Sequence, residues 1–293
     1  MTSHSLSLSS ARFSDYMELS KARLVSLVLL SGAVGFYLAS PEKMDIPLFL
    51  ISLLGTAFVA AGSMSLNQWM ERREDAEMTR TASRPLPAGR MQPLEALFFG
   101  TGIALAGLLI LFFAVNTVAV FLAALTLISY LLLYTPMKRK TSLCTIVGAI
   151  PGAIPPLIGW ASATGNTSFE AWVIFTILFL WQMPHFLAIA WICRKEYGTA
   201  GFKMLSVVDP SGTQVGRQII LYSLALLPVS LLPSIVGLTG IIYFFGALGL
   251  GVWVSYLSFI SSRNLDQKAR PFFRTSILYL ALLLLLMVVD KTK

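Results

Sequence analysis

The chain has 293 residues, 56% of them hydrophobic and only 12% charged, with a net charge of +8. A charged fraction roughly half that of a soluble domain cannot cover a protein of this size in water, so lipid is the expected solvent. The two cysteines, Cys144 and Cys193, lie far apart within apolar stretches, which fits small apolar fillers and not a disulfide framework or a metal knuckle.

The first residues carry Ser and Arg but no apolar core ending in a small-residue cleavage site, so residues 1 to 14 are expected as a flexible cytoplasmic tail and not as a signal peptide. Apolar runs follow at 24 to 40, 46 to 66, 94 to 113, 117 to 135, 143 to 161, 169 to 193, 218 to 236, 241 to 260 and 273 to 289. Each can cross a hydrocarbon layer roughly 30 Å thick. Lipid offers no hydrogen bonds to an open backbone, and the runs lack the alternation of barrel strands. The expectation is an all-α polytopic membrane protein: one domain over residues 1 to 293, a bundle of about nine transmembrane helices with helical or loop caps on one face.

The connections sort by charge. Arg12, Lys21 and Arg23 precede the first run; Arg72, Arg73, Arg80, Arg84 and Arg90 follow the second; Lys138, Arg139 and Lys140 follow the fourth. Arg194, Lys195, Lys203 and Arg217 follow the sixth, and Arg263, Lys268, Arg270 and Arg274 follow the eighth. The opposite side keeps Lys43, Lys291 and Lys293. By the positive-inside rule the N-terminus and the basic loops are cytoplasmic and the C-terminus is outside. The net charge is then a topology signal, and no nucleic-acid partner is expected. The loops are read as polar connections over 67 to 93, 194 to 217 and 261 to 272.

The loop after the second run carries Asn67, Glu71 and Asp75, followed by Arg80 and Arg84. If the helix continues past the membrane surface, these three oxygen donors stand at i, i+4 and i+8 and point one way. A magnesium diphosphate needs such an arrangement: Mg²⁺ takes a few carboxylate oxygens plus phosphate oxygens, and guanidinium groups hold the remaining charge. A solvated helix end with ordinary ion pairs has the same spacing, which does not separate the two. A second cluster, Arg194-Lys195-Glu196-Tyr197 with Lys203 and Asp209, shares that membrane face and could close on the same substrate. Taken alone it reads more readily as a topological boundary.

His185 is the one histidine within the runs, in Trp181-Gln-Met-Pro-His185, where Pro184 should bend the sixth helix. An intramembrane histidine is either a proton-transfer, donor or haem-contact group or a neutral residue bonded to a neighbouring helix. Pro151, Pro155 and Pro156 with Gly148, Gly152 and Gly159 imply an irregular, closely packed fifth helix.

The stretch Asn67 to Arg90, with Arg80-Thr-Ala-Ser-Arg84-Pro-Leu-Pro, resembles the first signature of the intramembrane prenyltransferases of the UbiA type. Tyr134-Thr-Pro-Met-Lys138-Arg-Lys-Thr-Ser142, the Gly/Pro run from Ile146 to Trp160, and Trp181-Gln-Met-Pro-His185 resemble the protohaem IX farnesyltransferases within that superfamily. The likeness runs from about Tyr16 to the last helix. It departs from the common pattern at Lys21-Ala22-Arg23, where Pro usually stands second, and at Glu71 and Glu196, where Asp is common.

The resemblance implies farnesyl diphosphate as donor, haem b as acceptor, Mg²⁺ as cofactor, a cytoplasmic (inner) membrane location, and a haem A synthase or terminal-oxidase assembly factor as protein partner. It implies catalytic roles for Asn67, Glu71, Asp75 and His185, and metal binding by Asn67, Glu71, Asp75 and Glu196. Arg80, Arg84, Lys138, Arg139 and Lys195 would hold diphosphate, and His185, Trp181 and Tyr197 the acceptor. Two rivals are a prenyltransferase of the same fold acting on an aromatic or quinone-precursor ring, and a secondary transporter. Transporters carry their polar residues near the midplane at a repeat interface, whereas these acidic groups lie at one surface.

Overall fold

A computed structural model gives the fold, described for residues 12–292. The elements are α1 (Phe13–Leu19), α2 (Ala22–Ala39), α3 (Ile46–Met70), α4 (Arg72–Ala76), α5 (Pro93–Ala114) and α6 (Thr117–Ile128). A π-helical turn, Ser129–Tyr134, leads into α7 (Thr135–Met137), α8 (Cys144–Ala153), α9 (Pro155–Thr164) and α10 (Phe169–Ile192). Then come α11 (Arg194–Thr199), α12 (Leu205–Val208), α13 (Thr213–Ile235), α14 (Ile241–Arg263) and α15 (Leu265–Val289). Among the described residues the only β pairing is an isolated bridge between Thr239 and Lys291. Nine helical segments there are long and apolar enough to cross a membrane, with α6, the π turn and α7 forming one span and α8 with α9 another. This is a polytopic all-α membrane protein, as its apolar runs predict. The expected tail lies outside the described residues up to residue 11, and residues 13 and 14 already belong to α1.

Two expected loops are largely helical. Residues 261 to 272 hold a single non-helical residue, Asn264, whose Oδ1 accepts from Gln267 N at 3.3 Å and caps α15. Charged residues there sit on helix ends that protrude from the apolar layer, and charge alone reads as loop. Within 194 to 217, α11 and α12 precede an early start of α13. Asp209 caps that start, its Oδ2 accepting from Gln214 N at 2.7 Å and Val215 N at 3.0 Å. Its role is thus structural.

The fifth span is the hub, the most enclosed of the nine. It breaks at Ile154, between Pro151 and the Pro155-Pro156 pair, and packs on α2 at backbone distance. A Cβ on Gly159 would lie 1.9 Å from the Gly32 carbonyl oxygen, and one on Gly35 would lie 2.2 Å from that of Pro156. Small residues allow such approach where apolar surface cannot drive helix pairing. On its other flank α10 donates from Gln182 Nε2 to the Ala149 carbonyl oxygen at 3.2 Å. Pro184 lies inside α10 without ending it.

The chain closes its two ends differently. At one, Asn116 Nδ2 donates to Ala161 O at 2.8 Å, and Lys291 Nζ donates to Tyr37 O at 2.8 Å and Ser40 O at 2.6 Å. At the other, the loops after α3, α7 and α10 meet one another, with Lys203 N donating to Lys138 O at 2.7 Å. The charged residues gather at that second end.

Candidate active site

The predicted stacking of Asn67, Glu71 and Asp75 is present. Glu71 N donates to Asn67 O at 2.9 Å and Asp75 N to Glu71 O at 2.8 Å, so the α-helical register passes through the joint between α3 and α4. All three side chains are buried. Buried carboxylates need partners, and each has a cation. Arg84 Nη1 donates to both oxygens of Asp75, at 2.8 and 2.7 Å, and Lys138 Nζ donates to Glu71 Oε2 at 2.9 Å. Arg139 pairs with Glu74.

Asn67 is held from two sides. Lys21 Nζ donates to its Oδ1 at 3.2 Å, and its Nδ2 donates to Thr135 Oγ1 at 3.1 Å. Thr135 reaches this point because the π turn before it widens the helix; its own Oγ1 donates five residues back to Tyr130 O at 2.8 Å. Lys21 joins α1 to α2 with φ 50°, the one non-glycine residue described in the left-handed region. Such a conformation persists only where the surroundings enforce it, and here it turns the ammonium inward. Burial of that ammonium, with Arg84 and Lys138 nearby, lowers its pKa to about 7 against the pull of Glu71 and Asp75. Burial also disfavours charge on Lys138, but the adjoining Tyr134 and Glu71 hold it well above the usual lysine range.

The loop after α10 closes on the loop after α3, with Arg80 N donating to Glu196 Oε2 at 3.4 Å. Burial pushes the Cys193 thiol above the usual cysteine range, against the opposing charge of Arg80. Lys195 is exposed and makes no ion pair. Tyr197 packs edge-on to Phe202, 5.9 Å between ring centroids, in a cluster with Met78, Cys144 and Met204. Lys138 Nζ lies 5.8 Å over Phe202, so Tyr197 sits on the side of the acidic cluster. Trp181 and His185 instead face α15. The His185 ring stacks 4.8 Å from Trp181 and 4.6 Å from Phe273, with Nδ1 2.8 Å from Ser276 Oγ. Trp181 Nε1 donates to Ser276 O at 2.6 Å.

Donor chemistry here suits a hard cation. Glu71 Oε1 and Glu74 Oε2 are buried oxygens without a hydrogen bond, although Glu71 Oε1 lies 2.8 Å from Lys138 Nζ as an ion-pair contact. Among the described residues no three His, Cys, Asp or Glu side chains converge as a complete metal cage. Mg²⁺ does not require one, since it takes one or two carboxylates and completes its shell with water and substrate phosphates. Lys21 and Thr135 are the site residues that motif reading missed. Lys21 passes for a topological charge, and nothing in sequence spacing joins Thr135 to Asn67.

The model of the UbiA prenyltransferase family matches residues 28–283. Protoheme IX farnesyltransferase of Solibacter usitatus is 45% identical over 287 residues, covering 94% of this chain and 98% of that protein. The protein of the same name from Opitutus terrae is 42% identical, covering 97% and 96%. Two solved structures share the fold. One, from work on digeranylgeranylglyceryl phosphate synthase, superposes with a TM-score of 0.80 at 18% identity, covering 94% and 97% of the two chains. The other, a UbiA homolog from Archaeoglobus fulgidus bound to DMAPP and Mg²⁺, gives 0.69 at 16% identity, covering 94% and 99%.

Proposed function

The chain belongs to the UbiA prenyltransferase family, and from that premise we propose that it transfers the farnesyl group of farnesyl diphosphate to a vinyl group of haem b. The names of its relatives support the acceptor and donor. In the overall reaction the allylic C–O bond breaks, a C–C bond forms to the vinyl carbon, water adds to the neighbouring carbon, and diphosphate and a proton leave. The product is haem O. The observation that carries the reading is the buried cluster itself, in which carboxylates and cations interleave at one end of an apolar bundle.

Asn67, Glu71 and Asp75 would hold Mg²⁺, with Glu196 at the rim, and bound Mg²⁺ would offset the charge that develops on the leaving diphosphate. Arg84, Lys138 and Arg139 would take phosphate oxygens, exchanging their present carboxylate partners for the ligand, and Arg80, whose side chain holds no carboxylate, would join them. Lys195 serves from solvent. The apolar bundle below would exclude bulk water from the allylic cation. His185, between two aromatic rings, would face the haem. Arg and Lys gather at the site end, so we place that end in the cytoplasm of an inner membrane and the C-terminus outside. A haem A synthase or oxidase assembly factor would dock there. Residues 1 to 293 act as one domain.

The test is incubation of purified protein with haem b, farnesyl diphosphate and Mg²⁺, followed by mass analysis of the haem. A haem gaining one farnesyl group and one water is the expected product. Unchanged haem alongside a prenylated aromatic acceptor would keep the family chemistry and remove the acceptor assignment.

A further inference from the structure

Trp181 and His185 stand one turn apart on α10, and both bond the same residue of α15. Trp181 Nε1 donates to the backbone oxygen of Ser276, and the Ser276 hydroxyl lies 2.8 Å from His185 Nδ1. That hydroxyl has one proton and two neighbours. The Phe273 carbonyl oxygen, 2.7 Å away, can only accept, so the proton points there; otherwise two bare oxygens would face each other at that distance. Ser276 Oγ must then accept from His185 Nδ1–H. No carboxylate bonds the ring, so the neutral imidazole is its resting form, and a neutral imidazole carries a single N–H. Nε2 is therefore the bare nitrogen. The faces of the ring are taken by Trp181 and Phe273, with centroids 4.8 and 4.6 Å away. Nε2 makes no hydrogen bond, yet it is not sealed in as the Tyr279 hydroxyl is, one turn further along α15. Because α10 packs between α8, α9, α13 and α15, a ring held against α15 lies within the bundle.

We propose that Ser276 is a positioning residue that fixes the His185 tautomer, and that Nε2 is the base that takes the proton of the water completing the product. This rests on the reading of haem b as acceptor. Once the farnesyl carbon has bonded to one vinyl carbon, its neighbour is the cation. A lone pair of water forms the C–O bond to that cation; one O–H bond breaks, its electron pair stays on oxygen, and the proton passes to Nε2. The ring is then an imidazolium whose Nδ1–H still holds Ser276, in a charge-assisted bond stronger than the resting one. Its extra proton leaves to solvent afterwards. The other tautomer would present an N–H to the water and could not take its proton. A cation that water does not capture loses a proton instead, giving a prenylated haem lighter by one water. A macrocycle bound through its iron would have to lie across Nε2 and clear the rings on both faces, whereas a water meets only the open edge.

The tautomer is measured without substrate. His4→Gln leaves His185 as the one histidine of the chain, so nitrogen NMR spectra of the full-length protein in lipid, with labelled histidine, contain one imidazole. Couplings to the ring carbon protons tell its nitrogens apart. Nδ1 should be protonated and Nε2 bare. Ser276→Ala keeps the Trp181 bond, which goes to the backbone, and should shift the tautomer ratio about tenfold toward Nε2–H, the size of one hydrogen bond. Ser276→Thr should restore it. With haem b and farnesyl diphosphate, kcat of Ser276→Ala should fall about tenfold while both KM values stay put, and unhydrated prenylated haem should gain share over haem O. A protonated Nε2 in the His4→Gln protein, or a ratio that Ser276→Ala leaves unmoved, overturns the tautomer assignment while the acceptor reading stands. A shifted ratio with unchanged kcat and product share overturns the base. So does a nitrogen-ligated iron spectrum with haem b that His185→Phe abolishes. If haem b is not converted at all, the acceptor reading falls and takes the base with it.

Discussion

The ammonium of Lys21 lies 3.2 Å from the amide oxygen of Asn67, bringing the linker before the first span into contact with the first residue of the acidic stack. Asn67 cannot turn both its oxygen toward a metal and its nitrogen toward Thr135 unless its plane is fixed, and Lys21 and Thr135 fix it. Lys21→Met should therefore lower turnover by about 10²-fold, the scale of losing one positioned charge or donor at a reacting centre. The protein should remain folded, since the lysine stem is part-exposed. Steady-state kinetics beside a thermal melt in detergent would check this; full activity in Lys21→Met would make the contact structural only.

The outline of this site was legible because helical spacing is a strong constraint. Asn67, Glu71 and Asp75 are four residues apart, and the backbone register between them holds even though the helix is interrupted at Glu71. The nine spans were legible for a similar reason, since runs of apolar residues admit little else in lipid. Partners from distant segments were not. The family pattern groups Tyr197, adjacent to Glu196, with His185, yet Tyr197 packs with Phe202 while His185 packs with Phe273. Sequence adjacency does not say which neighbouring helix a side chain will meet. The short helices α11 and α12 carry too few residues for a period to show, and the charged end of α15 hid a helix behind a loop-like composition.

Asp75→Asn removes the carboxylate that both holds Arg84 and would bind metal. Its turnover should fall by about 10²–10³-fold. The half-buried Arg84 would lose its partner, and breaking such a pair costs about 3–5 kcal/mol where burial is complete, so the melting temperature should also drop. Glu71→Asp should behave differently, keeping the charge and retaining turnover to within about tenfold. Chelation of divalent metal should stop the wild-type reaction and Mg²⁺ should restore it. A chelator-resistant activity would remove the metal from the mechanism.

Gly159→Ala tests the hub. The added methyl would fall 1.9 Å from the Gly32 carbonyl oxygen, which is backbone and cannot rotate aside. Overpacking of this kind costs about 1–3 kcal/mol or more. Lower thermal stability with reduced yield of folded protein is expected, and Gly102→Ala, where a Cβ meets nothing within 4 Å, is the control. Equal stability of the two variants would refute the close approach of α9 and α2.

The N-terminal helix should respond to acid. Asp15 accepts from Arg90 Nε at 2.8 Å and from Arg12 N at 3.0 Å, and these bonds, Arg90 first, hold its carboxyl below the usual aspartate range. A depressed folded pKa stabilises above the unfolded value of about 3.9 and loses that contribution as pH falls through the folded value. The clasp of α1 on the loop before α5 should thus be intact at neutral pH and weaken below about pH 4. Hydrogen exchange in residues 13 to 19 would report it, and Asp15→Asn should show the acid behaviour already at pH 7.

His185 is best tested by separating its ring from its nitrogen. The ring lies between Trp181 and Phe273, while Nδ1 meets Ser276 Oγ at 2.8 Å, so shape and hydrogen bonding are held by different neighbours. His185→Phe keeps the stack and removes the nitrogen; His185→Gln keeps a polar group and removes the ring. If the imidazole contacts the haem or directs the water that completes the product, His185→Phe should lose turnover by about 10²-fold, the low end for a positioned acid or base. Farnesyl diphosphate affinity should be unchanged, because the acidic cluster is built from other helices. Haem absorption spectra of the variant would then separate the two roles: a shifted spectrum with bound haem marks contact, and an unshifted one with trapped unhydrated product marks water handling. Wild-type turnover in His185→Phe would assign the residue to packing between α10 and α15 alone.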